Sequence, residues 1–469
     1  MASVAGYLKS NRRRHLDELV ELLSIPSIST DPEHSEDVAR AADWIRRRMK
    51  RAGCTTAKLI ETDGHPIAYG EWLGTEDAPT VLVYGHYDVQ PVDPLELWDS
   101  PPFEPAIKGK RIYARGASDD KGQVIVHLNA LEAHLETHGT CPINMRFLIE
   151  GEEEIGSPNL EPFIHKNRKL LACDAVVVSD TAMFAKGQPS ICYGLRGLAY
   201  IEVEVRGTHR DLHSGVFGGA VVNPANALTQ MLGTLKDAKG RITVPRFYEN
   251  VRRLTVPERR SLAKLPHSDN SYRKSIGAPD LFGEAGYTTL ERSCARPSLD
   301  INGIWSGFTG EGAKTVIPAI AHAKVSMRLV PDQTAREISH KVGSHLERIA
   351  PPSVEVTVRD LHGGEPWITP TDLPMLQSAA RALRRAFGRE PVFAREGGSI
   401  PVVATFDKLL KVPTLLVGFG LQDDNLHAPN EKMELDNFYR GIETSAFLIE
   451  ELATHGPGKA TRRKRSARS

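Results

Sequence analysis

Val81-Leu82-Val83-Tyr84-Gly85 runs straight into His86-Tyr87-Asp88, and the same construction recurs along the chain. Phe147-Leu148-Ile149 leads into Glu150-Gly151-Glu152-Glu153-Glu154, and Ala175-Val176-Val177-Val178-Ser179 ends on Asp180. Thr414-Leu415-Leu416-Val417-Gly418 precedes a polar loop carrying His427, and the polar turn Arg115-Gly116-Ala117-Ser118 delivers Asp119-Asp120. Short, continuous apolar runs predict strands buried on both faces, as in a parallel sheet covered by helices. In such sheets ligands bind beyond the carboxyl ends of the strands. Two histidines and several carboxylates gathered there suit a pair of divalent metal ions better than a redox, nucleotide or nucleophilic site.

Between these runs lie helical patterns. A helix is expected from about Val4 to Leu23, stopping before Pro26, and a second from Asp37 to Ala52. In the second, Val38, Ala41, Ala42, Ile45 and Met49 share one face and arginines the other. Val124 to Glu136 reads as a helix after the Asp119 loop. Near Tyr193-Gly194 the pattern changes to strict alternation: Ala199, Ile201, Val203 and Val205, then Ala323, Val325, Met327 and Leu329, then Val354, Val356 and Val358. Alternation predicts an antiparallel sheet with one wet face, covered on the other by helices at Pro224–Leu235 and Thr334–Ile349. Arg241 to Pro297 is polar and proline-punctuated, as an insertion would be. A helix from Leu373 to Phe387 and the strand before Gly418 resume the first pattern. The expected fold is an α/β catalytic domain, with a mixed, mainly parallel sheet and helices on both faces. It is interrupted by a smaller α+β lid domain. The boundaries are 1–195 and 365–455 for the first domain, 196–364 for the second, and 456–469 for a disordered basic tail.

Bulk properties agree. A chain of 469 residues exceeds one ordinary core. Its 59 basic and 59 acidic residues cancel, which gives no case for a nucleic-acid or membrane surface. The exception is Lys459 to Arg465, a basic stretch without apolar residues. Cys54, Cys141, Cys173, Cys192 and Cys294 are scattered, with no metal-knuckle or redox spacing, and predict buried thiols in a reducing compartment. The N-terminus, with Arg12-Arg13-Arg14, lacks the apolar core of a signal peptide, and no stretch approaches a membrane span. The expected location is the cytoplasm.

Taken singly, each candidate has an ordinary alternative. His86 fits a solvated loop histidine, Asp119 or Asp120 a helix N-cap, and Glu152-Glu153-Glu154 an acidic loop. Five such residues at matching strand ends, split by an insertion, are improbable as five unrelated caps. His86 and Asp88, two apart on an extended backbone, point the same way, so Asp88 can hold the second ring nitrogen of a ligating His86.

Jointly the motifs resemble the two-metal dipeptidase and aminoacylase family, most of all its cytosolic nonspecific dipeptidase and carnosinase branch. The signatures are His86-Tyr87-Asp88-Val89-Gln90-Pro91, Arg115 to Gly122, Glu150 to Ser157, Tyr193-Gly194-Leu195-Arg196-Gly197 and Asp211-Leu212-His213-Ser214-Gly215. They continue with Gly312 to Pro318, Arg395 to Pro401, and His427 with Asn430-Glu431-Lys432. The resemblance implies two divalent cations, Zn2+ or Mn2+. His86 and Asp180 would hold one, Glu154 and His427 the other, and Asp119 would bridge them. Glu153 would be the general base, taking a proton from a metal-bridging water and passing it to the leaving amine. Asp88 would orient His86. The smaller domain would form a homodimer interface, with His213 reaching the partner's site to bind the oxyanion and Thr315 assisting. Arg328, His362 and Ser399 would take the substrate's terminal carboxylate, and Glu396 would help read its amino end. The implied activity is hydrolysis of dipeptides. The alternatives are deacylation of N-acyl amino acids by the same machinery, or a non-catalytic binding protein retaining the fold. Ile155 departs from the small polar residue common at that position, and Arg241–Pro297 matches loosely. Both leave side-chain preference open.

Overall fold

The computed structural model describes residues 3–456; the basic stretch from Lys459 to Arg465 lies outside them. Two compact units are present. Gly194–Ile368 together with Arg395–Ala404 form one; residues 3–193, Thr369–Ala394 and residues 405–456 form the other.

The apolar runs of the first unit become the middle of a mixed sheet. Its order is Thr56–Ile60, Ile67–Trp72, Asn144–Glu150, Thr80–His86, Ala175–Val178, Thr414–Leu416 and Ser190–Leu195. The four strands from Asn144–Glu150 to Thr414–Leu416 are parallel, and their partners on either side are antiparallel. Val81 to Tyr84 and Val176 to Val178 are almost wholly buried, as strands covered on both faces must be. Neighbouring residues of one strand identify the two covers. A Cβ on Gly85 would strike Val124 of the Lys121–His138 helix, whereas the Tyr84 ring packs edge-on against Phe406 of the Pro401–Leu410 helix. Register then decides where the polar ends fall: His86 pairs with Glu150, and Tyr84 with Val178, two residues before Asp180.

The helix face expected around Asp37 is found in Ser35–Arg51, where Val38, Ala41, Ala42, Ile45 and Met49 are fully buried. The expected helix from Val4 to Leu23 is instead two, Val4–Ser10 and Arg12–Leu23. Asn11 separates them, with its side-chain amide donating to the Tyr7 carbonyl at 2.9 Å, a local bond that competes with the helical ladder. Lys121–His138 is buried on every side from Lys121 to His134, being packed between other elements and not along an edge of the unit.

The second unit carries a four-stranded antiparallel sheet in the order Ser298–Ser306, Ile320–Leu329, Gly197–Arg206, Glu355–Gly364. Its alternating apolar residues, Ala199, Ile201, Val203 and Val205 among them, pack on Leu228, Met231, Ile338, Val342 and Leu346 of the helices Pro224–Gly233 and Ala335–Ile349. The polar stretch between Arg241 and Pro297 holds three short helices, Val256–Ala263, Asp269–Ser275 and Thr289–Ala295. The sheet and its covering helices follow directly from period-2 and period-3.6 patterning. All five cysteines are free thiols. No helix among the described residues is long and apolar enough to cross a membrane.

Candidate metal centre

Five side chains from four strand-end loops and one preceding helix N-terminus meet in the first unit. His86, Asp119 and Asp180 bring one ligand atom each within 4.8 Å of one another, and so do Asp119, Glu154 and His427. Asp119 is common to both groups. Its Oδ1 faces His86 Nε2 at 3.2 Å and its Oδ2 faces His427 Nε2 at 3.0 Å. Glu154 Oε2 lies 3.3 Å from the same His427 nitrogen.

A site for cations should leave unsatisfied donors aimed at its centre, and this one does. His86 is fully buried, yet its Nε2 has no hydrogen bond of acceptable geometry. Its other nitrogen, Nδ1, is held by the backbone carbonyl of Asp88 at 3.1 Å, which fixes the ring so that Nε2 faces the cluster. The Asp88 carboxylate lies 3.3 Å away and is otherwise engaged. Its Oδ2 accepts from Ser29 Oγ at 2.7 Å and from the Glu154 backbone N–H at 3.1 Å, and its Oδ1 from the Glu153 N–H at 3.3 Å. Asp88 thus ties the His86 strand end to the turn bearing Glu153 and Glu154. Imidazole and carboxylate donors without thiolate suit zinc or manganese, so these residues fit a pair of such ions.

Electrostatics points the same way. Burial, reinforced by Asp120 and Asp119, pushes the Asp180 carboxyl far above its ordinary range. Burial also raises Asp120, with the charge of Asp119 adding to it against the pull of His86. Asp119 is buried too, but the hydrogen bond from His427 and the close approach and charge of His86 outweigh that and hold it low. The bond to Asp119 and then that to Glu154 push His427 up to about 10. Burial, against the pull of His86 and with repulsion from Glu154, Asp119 and Asp88, pushes Glu153 up to about 7. Mutually repelling buried carboxylates are stabilised by a dication placed among them.

Several supporting residues had no role assigned from sequence. Gln90 Nε2 donates to Glu154 Oε2 at 2.8 Å. Glu431, fully buried, accepts from Arg115 Nη1, from the N–H groups of Gly116 and Ser118, and from that of Asp119 at 3.1 Å. Asp424 accepts from Ser118 Oγ at 3.1 Å and from Lys432 Nζ at 2.8 Å. These bonds join the Asp119 loop to the His427 loop, where His427 itself stands at φ 57°. Such a left-handed conformation is costly for histidine and persists only where neighbours enforce it. Gln90, Arg115 and Glu431 lie inside motifs legible in the sequence, but only contacts reveal what they hold.

The remaining site candidates belong to the second unit. His213 pairs with Val316 and the Ser214 N–H bonds the Thr315 carbonyl, so His213 and Thr315 are neighbours. Arg328 Nη1 donates to Ser399 Oγ at 2.8 Å. His362 stands beside Tyr200, their rings edge-on at 5.1 Å. Glu396 and Ser399 fall within Arg395–Ala404, which groups with this unit.

The model of peptidase family M20/M25/M40 matches residues 82–451. The chain belongs to that family. Among relatives of this M20 peptidase is the Cys-Gly metallodipeptidase dug1 of Schizosaccharomyces pombe, 34% identical over 454 residues covering 94% of this chain and 95% of the relative. The human Beta-Ala-His dipeptidase is 33% identical, with 97% of this chain and 93% of the relative covered. The solved structure of the di-peptidase Dug1p from Saccharomyces cerevisiae superposes with a TM-score of 0.84 at 30% identity, covering 97% of this chain and 99% of that one. These likenesses match the dipeptidase and carnosinase branch that the motifs resemble. The M20 chain is a hydrolase, a metallopeptidase.

Proposed function

We propose that this protein hydrolyses the peptide bond of unblocked dipeptides at a centre of two divalent cations, Zn2+ or Mn2+. His86 and Asp180 would hold one ion, Glu154 and His427 the other, and Asp119, common to both groups, would serve both. The observation that carries this is Asp119, whose two oxygens face two different histidines, each within a separate three-residue group. When bound, the cations supply Lewis acidity and lower the pKa of a water nucleophile.

The chain's own residues supply the rest. Glu153 takes the proton from the attacking water and returns it to the nitrogen of the leaving amino acid as the C–N bond breaks. A carboxyl raised to about 7 by burial and by its anionic neighbours is matched to both halves of that task near neutral pH. Asp88 keeps Glu153 beside the cluster through the bond to its backbone N–H. His213 donates to the oxyanion, in a homodimer, from the partner's second unit. Its exposed ring accepts the Gly215 N–H at Nδ1, so the neutral tautomer carries its proton on Nε2, ready to donate. Thr315 sits next to it. Arg328, Ser399 and His362 receive the terminal carboxylate, and Glu396 the amino end. The relatives' names, Cys-Gly metallodipeptidase and Beta-Ala-His dipeptidase, support a dipeptide substrate. We place the enzyme in the cytoplasm, consistent with five free cysteines.

The deciding experiment combines Glu153→Ala with metal analysis and a substrate pair. Turnover should vanish with metal content largely kept; loss of both moves Glu153 from base to ligand. A free dipeptide should outcompete its N-acetylated form. Preference for the acetylated form would favour deacylation, and no hydrolysis with no bound metal would leave a binding protein.

A further inference from the structure

The four-stranded sheet of the second unit packs one face on its helices and leaves the other wet. Along Gly197–Arg206 every second residue is buried, and Leu198, Tyr200, Glu202, Glu204 and Arg206 share the opposite face. Arg328 lies on that same face of Ile320–Leu329, directly across from Leu198. Tyr200 is directly across from Ser326 on one side and from His362 on the other, and residues opposite each other in a sheet share a face. Gly197–Arg206 runs between the strands that carry Arg328 and His362. Tyr200 therefore stands between these two substrate-site candidates, on the face they share.

His362 owes its place there to an irregularity. Pairing steps from Asp360 opposite Ile201 to His362 opposite Tyr200, which makes Leu361 the extra residue of a β-bulge. In unbroken register Leu361 would face Tyr200, and His362 would turn to the helix side opposite Ala199. Gly363 holds that inner position, where a Cβ would come within 2.7 Å of the Leu198 carbonyl and 3.0 Å of the Ala335 side chain. On the wet face the His362 side chain is exposed and makes no hydrogen bond or ion pair among the described residues. Its contact is the Tyr200 ring, edge-on with centroids 5.1 Å apart and planes at 68°. That is a favoured arrangement for two aromatic rings. A side chain without polar partners keeps its rotamer freedom unless packing removes it.

We propose that Tyr200 is a positioning residue for His362, its ring holding the imidazole in the rotamer that receives the substrate's terminal carboxylate alongside Arg328. This rests on the assignment of Arg328, Ser399 and His362 to that carboxylate. An imidazole ordered before the substrate arrives spares binding the entropy of ordering it later. The terminal carboxylate takes no part in the bond changes, so its grip is the same in ground state and transition state. The contribution of Tyr200 therefore falls on KM and not on kcat.

The test follows alanyl-leucine hydrolysis by the full-length, metal-loaded enzyme. Tyr200→Leu should raise KM about two- to tenfold, the worth of one aromatic pair, with kcat little changed. Tyr200→Phe keeps the ring and should behave as wild type. In a His362→Ala background Tyr200→Leu should add nothing, because the group it positions is gone. An equal rise in KM with and without His362 would overturn the proposal, and so would an unchanged KM in Tyr200→Leu. A phenylalanine variant as impaired as the leucine one would also overturn it, since the hydroxyl and not the ring would then be acting. If Tyr200→Leu fails to fold by circular dichroism, Tyr200→Val, a strand former suited to this face, is judged by the same outcomes. His362→Ala by itself tests the assignment underneath: its KM should rise roughly tenfold or more, the loss of one hydrogen bond to a charged group. A wild-type KM there sinks the carboxylate role of His362, whereas a raised KM there with a normal Tyr200→Leu sinks Tyr200 alone.

Discussion

Glu431→Gln is the most informative perturbation of the metal centre that leaves every proposed ligand in place. Glu431 Oε2 accepts from Arg115 Nη1 at 2.8 Å and Gly116 N–H at 2.9 Å, while Oε1 accepts from Ser118 N–H at 2.9 Å and Asp119 N–H at 3.1 Å. All four donors point at a carboxylate without solvent exposure, and Arg115 is only 1% exposed. Glutamine fills the same volume but turns one oxygen into an NH2 group facing two donors. Two hydrogen bonds are lost, and the Arg115 guanidinium is left buried without its counter-charge. Breaking such a pair from one side costs about 3–5 kcal/mol. The Asp119 N–H is one of the four donors, so the bridging carboxylate should shift with its loop and both metal sites should weaken. Urea denaturation of metal-free protein reads the first effect and competitive chelator titration the second. Wild-type stability together with wild-type metal affinity would refute the inference that this carboxylate holds the two loops together. Normal metal affinity in a destabilised protein would confine Glu431 to folding.

Three further outcomes are expected. His213→Ala and Glu153→Ala proteins, each inactive alone, should regain activity when mixed as heterodimers; no recovery would count against a donor supplied by the partner subunit. His127, buried between Ser179 and Ser445, is pushed by burial down to about 4 from 6.5, so it stabilises the fold above pH 6.5 and loses that contribution as pH falls toward 4. The difference is worth up to about 3 kcal/mol, and His127→Gln should flatten stability over that window; an unchanged acid slope would exclude it as a source. Chelation should lower the melting temperature by removing the charges that offset Asp119, Asp120, Asp180, Glu153 and Glu154, and zinc or manganese should restore it; an indifferent melting temperature would argue against cations at this cluster.

Much of this protein could be read along the chain because the signals are local. Val81 to Gly85 and Val176 to Val178 announce doubly buried strands by composition, and Ala199 to Val205 a half-wet one by alternation. The face of Val38, Ala41, Ala42, Ile45 and Met49 needed only a period of 3.6, and the motifs themselves marked His86, Asp119, Glu153, Glu154, Asp180 and His427 as chemistry. Asn11 breaks a helix through a side-chain bond that propensity does not foresee. Tertiary structure alone decided what depends on residues far apart in sequence. Parallel register sets His86 opposite Glu150, a match no single strand specifies. Glu431 reaches Asp119 across 312 positions, and Arg196 reaches Gly397 across 201. The sequence states which residues can bind a cation or an anion, since that is a property of each side chain. Which of them share one ion, and which charges are left without a partner, is settled only when the chain closes on itself, because Coulomb energy and hydrogen bonding depend on distance in space.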